Sequence, residues 1–129
     1  MTDEEIKRLI KQTVDATVLQ LKAAGLLGND SKTAFEKTEA LLYQYPKLKE
    51  LDEPYARRVV QEIDACLADA EAEPYVDVIR LYYFAGLTNV ACAMELICDE
   101  RTARRYRRKL VQQFSVRLAS DEFIRELLL

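Results

Sequence analysis

CDERTARRYRRKLVQQFSVRL, residues Cys98 to Leu118, carries five arginines and a lysine within the nine positions from Arg101 to Lys109, and no acid after Glu100. Asp99 is a good helix N-cap, because its carboxylate can accept a hydrogen bond from the amide of Arg101 or Thr102. At about 100° per residue, Ala103, Tyr106, Leu110, Phe114 and Leu118 fall on one side of the helix that follows. Arg101, Arg105, Arg108 and Gln112 fall opposite, with Arg104 and Lys109 at their flanks. An exposed helix that served only solubility would mix signs for i,i+4 pairing, and this one does not. One stripe is built to pack and the other to meet an anion.

Working outward, the chain from Tyr75 reads YVDVIRLYYFAGLTNVACAMELICDE and divides at Gly86 and again at Ile97 to Asp99. The result is a supporting helix from a start signal at Pro74, a short middle helix from Thr88 or Asn89, and the basic helix. Val76, Ile79, Tyr83 and Leu87 in the first, and Cys92, Ala93 and Leu96 in the second, have the spacing of core positions. These lengths suit a helix-turn-helix, in which the second helix lies in the major groove and reads base edges from its N-terminal turns. Arg101, Arg104 and Arg105 are the expected base readers, since a guanidinium can donate twice to guanine O6 and N7. Arg107, Arg108 and Lys109 are expected on phosphates, with Gln112 on the same face. Glu100 suits the helix dipole better than a base contact.

Upstream, Thr2 and Glu5 have capping-box spacing, and Ile6, Leu9, Ile10, Val14, Val18 and Leu21 predict a helix from about Asp3 to Ala24. A second helix is expected from an Asp30 or Ser31 cap, through Phe35, Thr38, Leu41, Leu42 and Tyr45, to an end at Pro46. Pro54 starts a third, with Val59, Val60, Ile63, Cys66, Leu67 and Ala70 inward. The acidic stretch Asp69 to Glu73 is the expected hinge. The predicted fold is therefore all-α, with an N-terminal helical part (residues 1–73) for packing or oligomerisation, packed on or linked to a C-terminal DNA-binding part (74–129).

The whole chain has 129 residues and a formal charge of −3. Seven basic residues lie between Arg101 and Arg117, which leaves 12 basic against 22 acidic residues elsewhere, a body of charge −10 with one basic helix. Such a local positive surface can release counterions from DNA phosphates whatever the net charge. No apolar run reaches the roughly 18 to 20 residues that cross a bilayer, and the opening Asp3, Glu4 and Glu5 are unlike a signal peptide, so a cytoplasmic location and no membrane partner are expected. Cys66, Cys92 and Cys98 are odd in number and there is no histidine to join them, so they read as core residues; no cofactor and no metal are expected. Without histidine, a glycine-rich phosphate loop or a paired metal motif, the chain does not read as an enzyme.

The run IRLYYFAGLTN, an A-x-x-L middle helix and CDERTARRYRRKLV together resemble the region-4 helix-turn-helix of sigma factors, and more narrowly the small ArpU/RinA-type regulators of phages and prophages of Gram-positive bacteria. AFEKTEALLYQYPKLKEL (Ala34 to Leu51), the stretch Ile63 to Asp69 and FIREL (Phe123 to Leu127) resemble the same small proteins. The resemblance implies sequence-specific binding of double-stranded DNA that controls phage late genes, with RNA polymerase as a further partner; a homodimer would read two half-sites. The sequence departs from the family at Ile97, which stands where the turn glycine is common, at Val90 and Ala91, which stand where acids open the middle helix, and at Ala103, which replaces a bulkier aliphatic. Val90, Ala91 and Met94 form an apolar surface, expected to pack within the chain rather than to dimerise. A phage small terminase subunit, or an interaction module that keeps the fold without binding DNA, are the other readings.

Overall fold

The computed structural model describes residues 2–6 and 33–128. Thr2 accepts from the amide of Glu5 at 3.2 Å and opens a helical turn over residues 3–6, as the capping-box spacing predicts. The remainder of the predicted first helix lies outside the described residues, as do Asp30 and Ser31.

Every regular element among the described residues is a helix. Helix α1 (Ala34–Lys49) is capped by Thr33, whose hydroxyl accepts from the amide of Glu36 at 3.1 Å. It does not stop at Pro46. Proline forfeits one backbone donor and crowds the preceding turn, yet the helix continues to Lys49, because Tyr45 and Leu48 are both buried by the last turn. Helix α2 (Pro54–Asp69) starts at its proline and buries Tyr55, Ala56, Val59, Ile63, Cys66 and Leu67.

Helix α3 starts later than Pro74 suggests. Tyr75 has φ +61°, which breaks the helical run, and the element comprises Asp77–Ile79 continued by a π-helical turn, Arg80–Phe84. The amide of Ala85 closes that turn on the carbonyl of Arg80 at 2.9 Å, a ring one residue wider than an α-turn. Gly86, at φ +75°, ends it in a conformation that glycine adopts without cost. Helices α4 (Asn89–Leu96), α5 (Glu100–Leu118) and α6 (Asp121–Leu128) follow.

The core is continuous. Helices α1 and α2 pack on each other and on α5, α3 lies against α1 and α5, α4 rests on α5, and α6 folds back. Leu41, Leu42, Val59, Ile63, Val78, Ile79, Leu110, Val111 and Leu118 are fully buried within one cluster, so the helices on both sides of the bend at residues 73 and 74 share a core. Tyr45 stacks on Phe84 with ring centres 4.2 Å apart and donates its hydroxyl to Asp64, which joins α1 to α3 and α2. Arg58 of α2 grips Glu126 of α6 at two points, 2.7 and 3.1 Å, and also bonds Glu62 at 2.8 Å. Glu62 in turn accepts from Arg117 of α5 at 2.9 Å. Among the described residues no helix is long and apolar enough to cross a membrane.

Candidate nucleic-acid interface

Thr88 caps α4 by accepting from the amide of Ala91 at 3.1 Å, and Cys92 and Ala93 turn inward against α5. The small Ala93 side chain is buried, as expected. Helix α4 then ends in a left-handed cap: Ile97 has φ 55° and ψ 53°, its amide reaches the Met94 carbonyl at 3.4 Å, and the Cys98 amide reaches the Ala93 carbonyl at 3.0 Å. That pair of bonds is the Schellman arrangement, normally closed by glycine. Asp99 follows at once as the N-cap of α5 and accepts from the Thr102 amide at 2.6 Å, as its sequence position predicts. Hydrogen bonds from Thr102, with Arg101 and Arg105 nearby, hold the Asp99 carboxyl below the usual carboxylate range. Three residues thus separate two capped helices, which fixes where the N-terminal turns of α5 point.

The buried stripe of α5 is Ala103, Arg107, Leu110, Val111, Phe114 and Leu118. Tyr106, expected inside, is half-buried at the stripe's edge, with its ring 5.1 Å from that of Tyr75. Opposite lie Arg101, Arg104, Arg105, Arg108, Lys109 and Gln112, all exposed and all lining one shared open depression. Arg104 is tied to Glu100 at 2.6 Å and Lys109 reaches Glu73 at 3.4 Å. Among the described residues, Arg101, Arg105 and Arg108 form no salt bridge, although Arg101 and Arg105 lie near the Asp99 carboxylate. The guanidinium of Arg105 and the ammonium of Lys109 both approach the Tyr106 ring, at 5.6 and 5.4 Å from its centre.

Arg107 does not join this face. It is 9% exposed, its guanidinium lies 4.2 Å from the centre of the Tyr82 ring, and Nη1 donates to the Tyr83 hydroxyl at 2.8 Å and to Glu39 at 3.3 Å. The expected phosphate contact is therefore replaced by an internal one. The spacing held the signal: Arg107 stands four residues after Ala103 and three before Leu110, in the middle of the apolar stripe. Arg117 is likewise engaged internally, with Glu62 and with Asp69 at 2.5 Å.

No protein-family model, curated protein or solved structure matches the chain.

Six polar side chains share one helical face, three of the five cations form no salt bridge among the described residues, and long arginine stems let their charged heads move over several ångströms at little cost. Such a face can neutralise a row of anions spaced along a polymer. The apolar residues beside it differ from expectation. Val90 and Met94 are 53% and 75% exposed rather than packed against the described residues, and Ala91 is half-buried; Ile97, just past the end of the same helix, is 91% exposed. Cys66 and Cys92 are buried and Cys98 half-buried, and burial pushes the Cys66 thiol up to about 11, which suits a core residue.

Proposed function

We propose that this protein is a sequence-specific regulator that binds double-stranded DNA, with α4 and α5 as a helix-turn-helix of the sigma region-4 kind and α5 as its reading helix. The observation that carries the reading is the outer face of α5, where Arg101, Arg105 and Arg108 stand exposed and outside any salt bridge among the described residues, beside Arg104, Lys109 and Gln112. Arg101, Arg104 and Arg105, on the first two turns, are assigned to base edges, and Arg108 and Lys109 to phosphates. Glu100 then holds Arg104 until a guanine offers two acceptors in exchange. Control of phage or prophage late genes is the process that the sequence resemblance suggests, with RNA polymerase and a second copy of the chain as further partners.

The test is binding of the purified protein to a pool of its own neighbouring genomic DNA against random duplex, at several salt concentrations, with mass in solution recorded alongside. Selective binding whose logarithm falls with log salt by about 0.9 for each phosphate neutralised is the expected result. Absence of binding at low salt by the folded protein would reassign the basic face to an acidic protein partner, and a ring-sized mass would favour a packaging role. Replacing Arg104 and Arg105 together with alanine should reduce selective binding at least tenfold with an unchanged melting temperature, since each good arginine–guanine pair contributes about 1 to 3 kcal/mol and both side chains project outward.

A further inference from the structure

Arg107, the cation of the basic run that points inward, sits where three helices meet. The Tyr83 hydroxyl of α3 donates to Glu39 of α1 at 2.6 Å, and Arg107 of α5 donates to that hydroxyl at 2.8 Å and to the same carboxylate oxygen at 3.3 Å. Tyr82 covers the guanidinium plane, and Tyr43 of α1 meets the Tyr83 ring edge-on at 4.8 Å. The π-helical turn Arg80–Phe84 belongs to this arrangement, because its wider ring lets the consecutive side chains Tyr82 and Tyr83 both reach Arg107.

Hydrophobic contacts alone leave a helix some freedom to turn about its axis, since one apolar side chain can take the place of another. A planar fork held by a ring on its face and oxygens at its edge has no such freedom. Arg107 Nε is buried and without a hydrogen-bond partner, so the site is built around one orientation rather than around full satisfaction. Arg104 and Arg108 stand three residues before and one after Arg107 on the same rigid helix, so any rotation at Arg107 is transmitted to them directly.

We propose that Arg107 is a positioning residue: through Tyr83 and Glu39 it sets the rotation of α5, and so determines which arginines face base edges. The inference rests on the DNA-binding reading and refines it, for Arg107 then governs selectivity without touching DNA and makes α1 part of the reading unit.

The test compares the wild type with Arg107→Lys, Arg107→Met and the double variant Glu39→Gln/Arg107→Met, in which the half-buried Glu39 carboxylate is not left without its counter-charge. Each is measured for melting temperature, for amide chemical shifts along α5, and for binding to the selected genomic site and to random duplex across a salt series. The double variant should keep its helix content and its salt dependence on random duplex, show shifts moved along the length of α5, and lose at least tenfold in preference for its own site; Arg107→Lys should recover part of that preference. A salt slope reduced by about one phosphate with the preference intact would instead make Arg107 a DNA contact and overturn the proposal. Intact preference with an unchanged slope would also overturn it, by showing that packing alone orients α5. A wild type that does not distinguish duplexes at all would remove the DNA reading, and this inference with it.

Discussion

Leu110 is completely buried between α5 and the helices that carry it, so shortening it to alanine removes apolar contacts that no neighbour can replace. The expected loss is roughly 2 to 5 kcal/mol, read as a lower urea midpoint with little change in slope. Ile97 poses the opposite problem. A β-branched side chain at φ 55° carries a steric penalty of about 1 to 2 kcal/mol that glycine escapes, and its 91% exposure returns little in packing. Ile97→Gly should therefore stabilise the protein, by less than that penalty because glycine also loses more backbone freedom on folding; an unfolding midpoint that falls would mean that the isoleucine makes contacts which repay its strain. Positions such as Leu110 and Asp99 could be read from the chain because spacing and capping are local properties. Arg107 goes inside and Tyr106 only to the edge because residue type misleads there: a tyrosine reads as core and an arginine as surface until the hydroxyl of Tyr83 and the carboxylate of Glu39, distant in sequence, supply a buried cation with partners.

Among the helices, those that end on local chemistry were predictable. The start of α2 at Pro54 and the cap of α5 at Asp99 follow from rules about unpaired amides. The end of α1 and the start of α3 do not, since Leu48 holds a turn beyond Pro46 by tertiary burial, and Tyr75 takes a left-handed conformation that no turn signal announces. Nor does periodicity foresee a π-turn, whose extra residue alters spacing over a single turn. Helix α6 is held by Phe123 and Leu127 inside, Ile124 partly buried against the core, and Arg58, which bonds Glu126 and lies over the Phe123 ring. Glu126→Gln should speed hydrogen exchange at the amides of residues 123–128 while leaving those of α5 protected; equal acceleration in both would show that α6 does not open by itself.

Taken together, the described helices share one buried core. A fragment beginning at Pro74 would expose the faces of α3 and α5 that Leu41, Leu42, Val59 and Ile63 cover, and is expected to lose most of its helical circular dichroism. A stably folded fragment would show that α3 to α6 form an independent domain. Acid should loosen the same helices. Burial would push the Glu62 carboxyl up, but Arg58 and Arg117 overcome it and hold the group below its ordinary 4.5, and the hydrogen bond from Arg58 lowers Glu126 likewise. A carboxylate lowered in the folded state stabilises fully above its unfolded pKa and loses that contribution as pH falls through the folded one. The melting temperature should stay level down to about pH 5 and drop below about 4.5, and less steeply in Arg58→Met, which lacks the central cation.

The pairing of Glu39 with Arg107 spans 68 residues, and that of Arg58 with Glu126 spans as many. At about 5 to 20 residues per second, a ribosome needs roughly 3 to 14 seconds between making the first member of either pair and the second. For that interval α1 and α2 wait without the side chains of α5 and α6 that complete their burial and their ion pairs in the finished fold.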